Sequence, residues 1–143
     1  MNPEIPTILA LSMQRLAGNI GEGGAAFAQG QVGLIGMMMT LSAKEYERGA
    51  DIRVAENNEL RALFGELAGT VSDATLKPKL TAAAASKDAS LRISLLNENN
   101  YVLRRLLTEA MIHVEDHGQR TDLQRIWTVL KSLAERRLVQ LGP

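Results

Sequence analysis

The residues best suited to chemistry are Glu109, His113, Asp116 and His117. Steps of four put Glu109, His113 and His117 on one face of a helix, with Asp116 beside them. Imidazole and carboxylate suit zinc, iron or manganese, so this face reads as half of a divalent transition-metal site. The other half has to come from a facing helix. Both histidines of the chain are already used, which leaves carboxylates such as Glu56, Glu59 or Glu66. The spacing is not the Glu-x-x-His of helical di-iron carboxylate bundles. A plainer reading competes: His117 stands immediately before Gly118, where an imidazole interacts with the last carbonyls of the helix and its negative dipole end, with His113 half buried nearby. No cofactor is the first expectation, and a metal on this face is the alternative. Two histidines at one helix end do not assemble a nucleophile, a base and an orienting group, so an enzyme is not expected. The glycines follow no predicted strand, which removes a phosphate-binding loop.

A second set is polar rather than reactive. Asn57, Asn58, Asn99 and Asn100 fall where the apolar stripes of two helices pass, so at least one of each pair faces the interior, with Asn57, Asn99 and Asn100 the candidates. Buried amides must be bonded to something. Pairing with each other, or with Glu56 and Glu98, would fix helix register; a polar ligand pocket at this level is the competing reading. The segment AENNELRALFGEL at 55–67 echoes NENNYVLRRLLTEA at 97–110, with one residue inserted after the paired asparagines. The match is short and leucine-rich, but it suggests comparable roles for the two helices.

The third set is the stretch 18–43, GNIGEGGAAFAQGQVGLIGMMMTLSA, with Glu22 as its only charge and seven of the twelve glycines. Its residues 23–43 have about the length of a membrane span. Gln29, Gln31, Thr40, Ser42 and the glycines argue against that. As a helix, each glycine costs up to about 1 kcal/mol relative to alanine, so tertiary contact has to offset it. Ala26, Gly30, Gly33 and Gly36 form a small-residue groove at spacings of three and four, flanked by Phe27, Leu34 and Met37. Apolar residues on several sides require burial on several sides. The expectation is a homo-oligomer interface there, most simply a two-fold dimer.

The elements that must position these groups are helices. Alanine is abundant, aromatic residues make up 3% and proline occurs four times in 143 residues, a balance that favours helix over strand. The reading is an all-α bundle of four to five helices in a single domain, residues 1–143. Pro3 and Pro6 confine the first helix start to about 4–7, and 18–23 reads as a turn. One long central helix follows at about 24–69, with Gly49 as a candidate break. Pro78 falls in the next connection, before a short LTAAAA helix. A C-terminal antiparallel hairpin is expected from helices 89–117 and 121–141, the first capped by Asp88 or Ser90 and stopped at Gly118. The second opens on a Thr121 capping box with Gln124. Trp127 lies on the leucine stripe of that last helix and reads as core, and Tyr46 begins the recurring apolar positions of the central one.

Sixteen basic and sixteen acidic residues cancel, so no net field favours nucleic acid or an acidic membrane. The distribution is uneven: residues 1–70 hold five positive and eight negative groups, and 118–143 hold five against two. The acidic first half is therefore expected to face the basic last helix, within the fold or across an interface. No cysteine is present, and no basic segment precedes the first apolar residues, so the cytoplasm is the expected compartment. The function these features suggest is non-enzymatic: self-association as a homodimer and binding of a protein partner, as an adaptor or regulatory subunit. A metal- or small-ligand-binding bundle is the alternative.

Overall fold

The computed structural model of the protein describes residues 5–20 and 26–138, with Ile20, Ala26 and Phe27 described for their backbone only. Five helices follow in order: α1 (Ile5–Ile20), α2 (Ala26–Thr70), α3 (Leu76–Ala85), α4 (Ile93–His117) and α5 (Arg120–Arg136). No strand occurs among the described residues, and no helix among them is long and apolar enough to cross a membrane. The chain is all-α, as its alanine, leucine and proline usage implies. Helix α2 is continuous over 45 residues, so Gly49 does not break it. The chain nonetheless divides at Gly49 into two compact units, the described residues up to Gly49 and those from Ala50 to Leu138.

In the first unit, α1 continues through Gly18 and Asn19 to Ile20, later than the expected turn, because one glycine costs a helix only about 1 kcal/mol. Residues 21–23 of that expected turn lie outside the described residues. Helix α1 meets α2 at Gly36, where an added Cβ would stand 3.0 Å from the Met13 Sδ and 3.3 Å from its Cγ. The hydroxyls of Ser12, Thr40 and Ser42 donate to carbonyls four residues back, at 2.8 to 2.9 Å. Polar residues in these apolar helices are thereby satisfied without a tertiary partner.

The second unit packs the α2 residues from Ala50 onward with α3, α4 and α5. Its core joins Leu60, Leu63, Phe64 and Leu67 of α2 to Leu76 and Leu80 of α3, Leu103, Leu107 and Val114 of α4, and Ile126 and Leu133 of α5. The polar contacts give the direction of each helix. Arg53 and Asn57 of α2 bond Asn97 and Asn100 of α4, so both helices run the same way. Glu56, Glu59 and Glu66 pair with Arg137, Arg136 and Arg125, so α5 runs back along α2. Gly65 lies against Ala84, with 3.8 Å between an added Cβ and the alanine methyl, and Arg61 reaches Ser86, so α3 also runs back. This is an up-down-up-down order of four helical segments.

Local signals account for the ends. Asp73 Oδ1 accepts from the backbone N–H groups of Thr75 and Leu76 at 2.8 and 2.7 Å and from the Thr75 hydroxyl at 2.7 Å, the bonding of an Asx turn that opens α3. Pro78 lies inside α3, not before it as expected; it is in the first turn, where a missing N–H costs nothing. Helix α4 begins at Ile93 with Arg92 at its cap. Asp88 is not available to cap it, being held by Arg61. The Ser90 hydroxyl instead accepts from the Arg92 N–H at 3.1 Å. Helix α5 begins at Arg120 with Gln119 as cap and no side-chain cap bond, which places Thr121 inside the first turn and removes the expected capping box.

One aromatic assignment fails: Trp127 is 54% exposed. Tyr46 is exposed as well, at 53%. On α5 the buried set is Asp122, Ile126 and Leu133, supported by Leu123, Val129 and Leu130. The inward face is thus centred one residue before Trp127, which a helix turns by about 100°. Helix α5 also stops at Arg136, short of the expected 141. Leu138 is exposed, and Leu141 lies outside the described residues.

Candidate functional site

The largest assembly of polar groups is buried between α2, α4, α5 and the α3–α4 loop. Glu56 is fully buried. Its Oε1 accepts from Arg137 Nε and its Oε2 from Arg137 Nη2, both at 2.6 Å, while Oε2 also accepts from Asn100 Nδ2 at 3.1 Å. Arg104 adds its charge at 3.7 Å. The Asn100 amide donates to Glu56 and to Asn57 Oδ1, and its carbonyl accepts from Arg104 Nε and Arg137 Nη2 at 3.0 and 3.1 Å. All four of its hydrogen-bonding positions are used. Asn57 donates to Asp88 Oδ1 and to the Leu96 carbonyl. Asp88 takes two bonds from Arg61, at 2.8 and 3.0 Å, and one from Asn99 at 2.9 Å. Among the described residues no buried side-chain nitrogen or oxygen lacks a partner.

The electrostatics follow from these contacts. Burial pushes the Glu56 carboxyl up, but the Arg137 hydrogen bonds and the charges of Arg137, Arg104 and Arg53 outweigh it and hold it below its ordinary value. The Arg61 bonds lower Asp88 against a smaller opposing effect of burial, with Asn99 and Asn57 assisting. Arg104 is lowered by burial and by the neighbouring cations Arg137 and Arg53, partly countered by Glu56. Both carboxyls are therefore ionised at neutral pH, Asp88 accepting four hydrogen bonds and Glu56 three. The arrangement ties three helices and a loop together at one level.

The sequence-predicted residues are placed as follows. Asn57 and Asn100 are buried and bonded to each other, while Asn99 is half-buried and bonded to Asp88, not to a second asparagine. Glu98 is exposed and takes no part in the network. Of the proposed metal face, Glu109 is exposed and bonded to Lys79 at 2.8 Å, which lowers its carboxyl. His113 and His117 stack with ring centroids 5.3 Å apart, while Asp116 is exposed. The carboxylates expected to complete that shell are all on arginines of α5 or its C-cap residue Arg137. No three potential metal ligands gather among the described residues.

The residues expected at a homo-oligomer interface lie in the first unit. Gly30 and Gly33 are exposed, and a Cβ added at either would meet nothing within 4 Å. Gly36 is buried under Met13. Leu34 and Met38 are each 60% exposed, with Met37 and Ile35 also exposed. Helix α1 adds Ile5, Ile8 and Leu11 to the uncovered apolar surface. The backbones of Ala26 and Phe27 are helical, and their side chains lie outside the description.

Sequence reasoning missed the roles of Arg61, Asp88 and Arg137; Glu56, expected as an asparagine partner, does bond Asn100, but its pairing with Arg137 was not foreseen. The surplus of acid in the first half and of base in the last helix was the available signal for the α2–α5 pairs. Nothing in the sequence marked the loop residue Asp88 as the partner of Arg61. Compared with protein-family models, curated proteins and solved structures, the chain finds no match.

Proposed function

We propose that the protein works without catalysis, through self-association as a homodimer and through binding a protein partner, as a cytoplasmic adaptor or regulatory subunit. The observation that carries this reading is the uncovered apolar surface of the first unit, where Leu34, Met37 and Met38 stand exposed on the same helix as the open backbone of Gly30 and Gly33. Contiguous exposed hydrocarbon mark interaction sites in chains that are otherwise ordinarily charged. Glycines in a helix interior are stabilising only where another backbone comes close, and at Gly30 and Gly33 none does among the described residues. A second copy can supply that backbone with a self-complementary face.

The test is Gly33→Leu. Its side chain enters open space and leucine is a better helix former than glycine, so the monomer keeps its fold. Sedimentation should show an assembled wild type at micromolar concentration and a monomeric variant with unchanged far-ultraviolet dichroism. A monomeric wild type, or a variant that assembles as before, contradicts the proposal.

A further inference from the structure

A second surface, wholly within the unit from Ala50 to Leu138, is a groove of about 540 Å³ beside α3 and α4. Its origin is in the sequence. The end of α3 is a run of alanines, and Ala84 lets it lean on Gly65 of α2. Methyl side chains do not fill the space toward α4, so Ala83, Val102, Leu103 and Leu106 line it with hydrocarbon. Val102 is 63% exposed there, beside the buried Leu103.

The rim is cationic. Arg61, Lys79, Lys87 and Arg105 all line the groove, against Glu109 as the one lining carboxylate. Arg61 is neutralised by Asp88 and Lys79 by Glu109. Lys87 and Arg105 form no ion pair among the described residues. With Arg61 matched by Asp88, and Glu109 shared between its bond to Lys79 and the nearby charge of Arg105, the groove has a net excess of two positive charges around an apolar floor, at a volume suited to a small organic molecule. Desolvated hydrocarbon favours an apolar body, and the unpaired cations favour an acid.

We propose that this groove binds a small amphipathic anion, a carboxylate or phosphate monoester on an alkyl or aryl body, with the body against Val102 and Leu106 and the acidic group met by Lys87 and Arg105. The site is independent of the self-association surface.

The test titrates full-length protein with decanoate, below its micelle concentration, and follows backbone amide shifts by NMR. Decanol supplies the same body without charge and inorganic phosphate the charge without a body; decyl phosphate tests whether the headgroup chemistry is shared. Decanoate should bind saturably, with shifts centred on residues 83–87 and 99–106, and at least tenfold more tightly than decanol or phosphate. Lys87→Gln with Arg105→Gln should weaken decanoate at least tenfold and leave decanol unchanged. Both side chains are exposed and make no ion pair, so the double variant folds; its amide spectrum without ligand verifies this. Val102→Asp gives a second reading, with binding expected to be lost. Equal binding of decanol and decanoate, shifts confined to residues 5–49, or an unweakened double variant each overturn the proposal. Tight binding of phosphate alone overturns the amphipathic part of it.

Discussion

Replacing Glu56 with glutamine should cost stability in a way that depends on pH. The side chain is fully buried, with both oxygens bonded to Arg137 at 2.6 Å. Glutamine keeps the volume but presents one oxygen where there were two, and turns an amide N–H toward a guanidinium. Removing one partner of a buried ion pair costs about 3 to 5 kcal/mol when the other stays buried. Arg137 is 40% exposed and regains water when released, so the expected loss is nearer ~2 kcal/mol, the range of a charge-assisted hydrogen bond. In a unit of this size that is roughly 10 °C in melting temperature. The sign in acid follows from the lowered carboxyl. A group whose folded value lies below its unfolded one contributes stability that is fully present above the ordinary glutamate value of 4.5 and lost as pH falls through the folded value. Wild type should therefore lose stability below pH 4.5, and Glu56→Gln should lose less over the same interval. Urea unfolding from pH 7 to pH 3 measures both, and a double-mutant cycle with Arg137→Met isolates the pair, with a coupling of at least ~1 kcal/mol expected. A variant within ~0.5 kcal/mol of wild type at pH 7, the ordinary scatter for a surface change, or an acid limb as steep as the wild type's, refutes the reasoning.

Two other perturbations test the local geometry. Asp73 is held at about 2, first by the Thr75 hydroxyl and then by the N–H groups of Leu76 and Thr75; its stabilisation should be complete above pH 3.8 and fade as pH falls toward 2. Asp73→Asn should keep the turn and lose that pH dependence, whereas Asp73→Ala should lower the melting temperature at every pH; equal melting of the two at pH 7 would show that the oxygen does not hold the helix start. Gly118→Ala should destabilise by about 1 to 3 kcal/mol through crowding, because its Cβ would lie 2.7 Å from Val114 Cα and 2.8 Å from the Val114 carbonyl oxygen. Thermal melting of that variant at the wild-type temperature would remove the steric argument.

How much of this was legible in the residues depends on the range of the interaction. Helix identity is a local matter of propensity and periodicity, and the long α2, the short alanine-rich α3 and the Gly118 stop were all visible. Gly118 shows the limit of that reading: its backbone has φ −90°, so it is required by close approach to Val114 and not by a left-handed cap. The asparagines were recognisable because an amide on an apolar stripe demands a partner, and the echo between 55–67 and 97–110 placed similar residues on the two helices that bond to each other. Asp88 was misassigned because a loop carboxylate suits a helix cap as well as it suits an arginine 27 residues away. Trp127 was misplaced because neighbouring Ile126 satisfies the same stripe, and only packing against α2 and α4 decides which of the two turns inward.

The buried network raises a question of purpose, since exchanging buried ion pairs for hydrocarbon is often neutral or stabilising. The leucines below it suggest the answer. Leu60, Leu63 and Leu67 share one buried cluster with Leu103 and Leu107, side chains of one shape at repeating intervals, whose non-directional attraction does not by itself select one alignment. Asn57, Asn100 and Glu56 have no such freedom. A slip of one turn between α2 and α4, about 5.4 Å, separates Asn57 and Glu56 from Asn100 while Glu56 keeps Arg137, and each buried amide left without its partner costs about 1 to 3 kcal/mol. The leucines thus supply the attraction between α2 and α4 without selecting one alignment, and the polar level selects it by penalising every other. This division accounts for why the polar residues sit together at one level of the unit, where one register satisfies all of them, instead of being spread along the helices.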